Sequence, residues 1–136
     1  MFSNCGSLKS WDLSNFNFTK INSFLSLFEG CGNLVSIDNS FADVPLFDMM
    51  SRTFMNCKKL ESIKLPRNLE NVRNLENAFA NCEKLEYINL TPFNNSSLEY
   101  ADSMFSNCYS LKIVEFPEIY AFFYQVRQIC FLIVLN

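Results

Sequence analysis

The chain contains no histidine, three glycines and a single tryptophan. Without histidine it lacks the commonest general base and a principal nitrogen ligand for metals. No G-x-S-x-G or P-loop string appears either. Carboxylate pairs such as Asp12 and Asp38 exist, but aspartates matched in register usually mark a solvated face, and no enzymatic activity is expected. Positive charge is scarce too: 11 Lys and Arg against 14 Asp and Glu give a net charge of −3. No basic run is present to attract nucleic acid or an anionic membrane surface. The apolar run Ile129–Leu135 falls far short of the roughly 20 residues that span a bilayer. Membrane contact is therefore not expected. Nor does the N-terminus carry the basic, apolar and small-residue sequence of a secretory signal.

What the sequence does have is repetition. Phe2, Phe28, Phe54, Phe79 and Phe105 form one column; Cys5, Cys31, Cys57, Cys82 and Cys108 form a second, three residues on. Leu8, Leu34, Leu60, Leu85 and Leu111 follow, then Trp11, Ile37, Ile63, Ile88 and Val114. The spacing is 26, 26, 25 and 26 residues, a period that indicates a solenoid. The repeats divide as 1–26, 27–52, 53–77, 78–103 and a partial unit at 104–119. An apolar tail at 120–136, a degenerate repeat or cap, completes the chain. Met1 shares a column with Met104, so the sequence reads as a fragment, a truncated product or a degenerate copy of a longer array. Open repeat ends raise the expectation of end-to-end self-association.

Within one repeat, Leu60-Glu-Ser-Ile63-Lys-Leu65 alternates with the period of a half-buried strand. Pro66 and Pro117 follow directly, where a strand must stop. Before each cysteine the pattern changes. Ile21, Phe24 and Phe28, like Val72, Leu75 and Phe79, have the spacing of one helical face. The residue before each column cysteine is always Asn or Gly, the types that tolerate positive φ and close helices. The expected fold class is an α/β solenoid: a right-handed coil with one short parallel strand and one short helix or 3₁₀ turn per 25–26-residue repeat.

One cysteine per repeat, with no C-x₂-C pair, is a poor metal site. Cysteine is among the most buried residue types, so a ladder of buried free thiols is the expected arrangement. No cofactor is implied. The candidate binding residues are the outward strand positions. One row is Ser10, Ser36, Ser62, Tyr87 and Ile113; beside it run Asp12, Asp38, Lys64, Asn89 and Glu115. Together they would line the concave face of the solenoid, where such folds commonly bind partners. The drift from serine towards Tyr87 and Ile113 suits the core of an interface.

The columns, read as F-x-x-C-x-x-L-x-x-[IL]-x-L, resemble the BspA-like leucine-rich repeat surface proteins. Met1 to Asn17 is similar to that repeat nearly throughout, and Asn81 to Leu90 matches its core. Repeat two departs, with Asn39 where the strand should close and Ala42 where repeat one has Phe16. The resemblance implies a leucine-rich-repeat coil and a cell-surface or extracellular protein. It also implies a non-enzymatic adhesion module with a protein ligand, a host surface or matrix protein among the candidates. The alternatives are an intracellular interaction scaffold of the same fold and a truncated, non-functional remnant.

Overall fold

The computed structural model describes residues 2–11, 18, 21–37, 48–93 and 98–117. Five short strands are present among them: β1 (Ser10–Trp11), β2 (Ser36–Ile37), β3 (Ser62–Ile63), β4 (Tyr87–Asn89) and β5 (Ile113–Glu115). Each occupies the alternating segment after a column leucine, as the sequence predicts. Every pairing is parallel and in register, Ser10 with Ser36 and Ser36 with Ser62, then Tyr87 with Ile113. The chain therefore stacks as the repeated coils of a leucine-rich-repeat-like fold. The strands form two ladders, β1-β2-β3 and β4-β5. The interruption falls where the array is one residue short: the chain reaches Leu75 from Ile63 one residue sooner than Met50 from Ile37.

Among the described residues, the short helix or 3₁₀ turn expected before each column cysteine is replaced by turns that do not continue into a helix, and the α/β class is corrected accordingly. The arcs are successive turns. The Leu27 amide donates to the Phe24 carbonyl at 3.1 Å, Glu29 to Ser26 at 3.3 Å and Cys31 to Phe28 at 3.1 Å. The amides between them point to the next coil: Phe24 to Met49 at 3.0 Å, Ser26 to Ser51 at 3.1 Å, Phe28 to Thr53 at 2.9 Å and Gly30 to Met55 at 2.8 Å. The same alternation recurs from Met50 to Asn56 and from Leu75 to Asn81. An α-helix needs each of these amides for its own i−4 carbonyl. Here every second one is committed to a neighbouring coil instead.

Backbone conformation explains the switch. As expected, the residue before each column cysteine is left-handed, with φ of 61° at Asn4, 75° at Gly30, 64° at Asn56, 63° at Asn81 and 60° at Asn107. A second left-handed column lies four residues earlier, at Ser26, Arg52, Asn77 and Ser103, with φ between 52° and 56°. One such residue in mid-arc is enough to prevent a right-handed helical turn from propagating. The one short helix among the described residues is a 3₁₀ turn at Thr91–Phe93, after β4. It opens with the Thr91 amide donating to Asn89 Oδ1 at 2.7 Å.

The columns fill the interior. Phe28, Phe54 and Phe79 are fully buried, and consecutive rings stack at 5.5 Å with planes 10° apart. Phe2 and Phe105 extend the stack at 5.8 and 5.6 Å. Leu34, Leu60 and Leu85 are likewise fully buried. Each stacked phenylalanine contributes about 1.5–3 kcal/mol from burial. Each aromatic pair adds about 0.5–1.5 kcal/mol. No coil could obtain this alone, because each ring stacks on its equivalents in the neighbouring coils.

Candidate functional site

The thiol column is buried and built into the backbone. Cys31, Cys57, Cys82 and Cys108 are free and buried, and Cys5 is exposed. Each buried thiol donates to a phenylalanine carbonyl one coil back: Cys31 Sγ to Phe2 at 3.2 Å, Cys57 to Phe28 at 3.2 Å, Cys82 to Phe54 at 3.2 Å and Cys108 to Phe79 at 3.1 Å. Those carbonyls already accept the turn amide of their own cysteine, so the thiol fills the second lone pair. Burial pushes the Cys57 and Cys108 thiols up to about 12, and Cys82 well above the usual value of 9.0. These thiols stay protonated at neutral pH and are poor nucleophiles and metal ligands. Among the described residues, no cluster of metal-ligating side chains occurs.

A second polar ladder holds the left-handed column. Asn81 Nδ2 donates to Asn56 Oδ1 at 2.7 Å, and Asn107 Nδ2 donates to Asn81 Oδ1 at 2.7 Å. Gly30 takes the same position without a side chain, and a Cβ there would lie 2.1 Å from Asn4 Oδ1. Among the described residues, four ion pairs also join consecutive coils: Arg52 with Glu29, Lys58 with Glu83 at 3.2 Å, Arg73 with Glu99 at 3.1 Å and Lys112 with Glu86 at 3.2 Å. Burial of Glu29 opposes its ionisation. Hydrogen bonds from Ser26 and Arg52, with the guanidinium charge, outweigh it and leave the carboxyl pKa lowered.

The strand face is where unlike side chains come together. Parallel register sets Ser10, Ser36 and Ser62 in one row and, in the second ladder, Tyr87 beside Ile113. Ser10 and Ser62 are exposed and Ser36 is half-buried. Tyr87 is 39% and Ile113 57% exposed, both large for apolar groups on a strand. In the adjoining row Lys64 and Glu115 are exposed and Asn89 is half-buried. Asp12 and Asp38 lie outside the described residues. A hydrogen bond from Tyr87 to the Glu115 carboxylate, with some desolvation, raises the tyrosine pKa above its usual value. Lys64 takes part in none of the four ion pairs.

A groove of about 500 Å³ runs along β1 to β4, lined by Ser10, Ser36, Ser62, Lys64 and Tyr87 together with Trp11, Ile37 and Ile63. The last three belong to the column that alternation assigns to the interior, so their place in the groove was not foreseen. Trp11 is only half-buried, and its larger surface distinguishes it from the isoleucines below. Asn89, Ile113 and Glu115 do not line the groove. They extend the face beyond it. Tyr100 and Tyr109, 53% and 77% exposed, were not among the expected binding residues. They fall outside the alternating segment, and only their size and position in polar turns would have marked them.

Comparison with known proteins agrees with this geometry. The crystal structure of a leucine rich repeat protein of T. pallidum, TpLRR, matches with a TM-score of 0.52 at 18% identity. The match covers 86% of this chain and 61% of that one, so the chain spans about three fifths of its structural relative. At that identity the likeness speaks for the fold. Among curated proteins, none matches the sequence. A family description, BspA type leucine rich repeat region, matches in six copies over residues 1–42 and 27–131. The aromatic, thiol and aliphatic columns, the parallel register and this match make the chain a member of the BspA-type leucine-rich-repeat family.

Proposed function

We propose that this chain is a protein-binding module that works without catalysis, part of a cell-surface or extracellular protein, and that it adheres to its partner through the strand face. Its coil is taken as a closed, right-handed solenoid in keeping with the family. Leucine-rich-repeat proteins generally mediate protein–protein interaction, and the BspA type is typically surface-associated. The observation that carries the reading is the pairing of Tyr87 and Ile113 in register, 39% and 57% exposed, beside the groove. An aromatic and an aliphatic side chain held in water on adjacent strands cost solubility and contribute nothing to the core. They suit the desolvated centre of an interface. The polar rows around them supply a hydrogen-bonding rim.

The test is capture from an extracellular-matrix extract on the immobilised protein, wild type against the double variant Tyr87→Ala, Ile113→Ser. Neither side chain is buried, so both proteins should show the same circular dichroism. Loss of captured proteins with the variant is the expected result. An unchanged set of captured proteins would remove the strand face as the binding site.

A further inference from the structure

We propose that one partner of this face is a second copy of the chain, docked on β3 to β5 about a twofold axis that runs along β4. The inference rests on the reading of the strand face as a binding surface and names an occupant for it. A twofold interface must be complementary to itself, each patch meeting its own reverse. The face from β3 to β5 has that property. Lys64 stands just past β3, Glu115 ends β5, and Tyr87 on β4 lies between their coils. β4 pairs with β5, and β3 contacts β4 from the preceding coil, so the two charges stand on either side of the aromatic.

A rotation about β4 keeps the strand direction and reverses the order of the coils. It therefore sets Lys64 over Glu115 of the copy and, by symmetry, Glu115 over Lys64 of the copy. Tyr87 meets its own equivalent at the centre, and Ile113 covers Ser62 of the copy. Lys64 is exposed and takes part in none of the four ion pairs seen among the described residues. The Tyr87 hydroxyl bonds the Glu115 carboxylate, so the aromatic and one charge of the patch are joined on neighbouring strands. Three strands of two or three residues each make a small patch against the roughly 800 Å² per partner of a standard interface, so the dimer is weak and concentration-dependent.

Sedimentation of the whole chain, from about 10 µM to about 1 mM, tests the proposal across the affinity range of a weak dimer. The expected result is a monomer–dimer equilibrium. Lys64→Glu alone and Glu115→Lys alone should each weaken it about tenfold, because each reversal turns two attractions into two repulsions. The double reversal should bring the affinity back to within about threefold of wild type. Lys58→Glu, outside the face, should leave it unchanged. A monomer at every concentration would overturn the inference, as would single reversals without effect or a double reversal that fails to restore association. If the protein is monomeric yet its capture of matrix proteins still depends on Tyr87 and Ile113, the dimer falls and the binding face stands.

Discussion

Alkaline pH should unfold this protein far earlier than its net charge suggests, because its interior thiols must remain protonated. Cys57 and Cys108 titrate near 12 in the folded chain, and Cys82 is also raised well above 9.0. In the unfolded chain each reverts to the ordinary value of 9.0. The sign follows from proton linkage: between those values the unfolded state has lost a proton that the folded state keeps, so stability falls as pH rises. The contribution is fully present below pH 9.0 and disappears as pH climbs towards 12. At one pH unit above its unfolded pKa, each thiol costs roughly 1.4 kcal/mol. Three together cost about 4 kcal/mol, a large fraction of the 5–15 kcal/mol that stabilises a typical domain. Urea unfolding followed by Trp11 fluorescence, under reductant at pH 8 and pH 10, measures it. With a slope of about 1.5 kcal/mol/M, the midpoint should move down by about 2–3 M. Cys82→Ala removes one titrating group, so the pH 8-to-10 loss should shrink by about a third. Equal midpoints at the two pH values would refute the reasoning, as would a loss that the substitution leaves intact.

Two further outcomes probe the ladders. Phe79→Ala removes a ring stacked on both Phe54 and Phe105 and should cost about 3–5 kcal/mol in denaturant titration. Asn81→Ala breaks the side-chain bonds to Asn56 and Asn107 and places a Cβ-bearing residue with no polar side chain at φ 63°. Its cost should be about 2–3 kcal/mol, and Asn81→Gly, which relieves the backbone but not the hydrogen bonds, should recover about 1 kcal/mol of it.

Much of this architecture is legible in the sequence, for a reason visible in particular residues. Phe54 must rest on Phe28 and Phe79 because five identical rings at one spacing have no other way to leave water together. The left-handed residue before each cysteine is also readable, since Asn and Gly share little else besides tolerance of positive φ. The absence of helix is not readable. Ile21, Phe24 and Phe28 have helical spacing, but consecutive three-residue turns bury residues at the same intervals. The feature that decides between them is the second left-handed column, occupied by Ser26, Arg52, Asn77 and Ser103. Those four side chains have no chemistry in common that announces it. Burial of the thiols follows from residue type, whereas their bond to the phenylalanine carbonyl one coil back depends on an arc geometry that no periodicity encodes. On the strand face, alternation identified the outward rows. It missed Trp11, Ile37 and Ile63 in the groove, because a shallow strand exposes the flanks of its inward residues.

The alternation of amides along each arc fixes where this lineage can change length. Adding one residue between Phe24 and Gly30 would exchange every donor to the adjacent coil for one already committed to a turn, and the whole rung would fall out of phase. A residue gained or lost in the stretch from strand to arc leaves that phase untouched, as the shorter passage from Ile63 to Leu75 illustrates. Drift in such arrays should thus collect in those passages, while growth elsewhere proceeds by copying entire units.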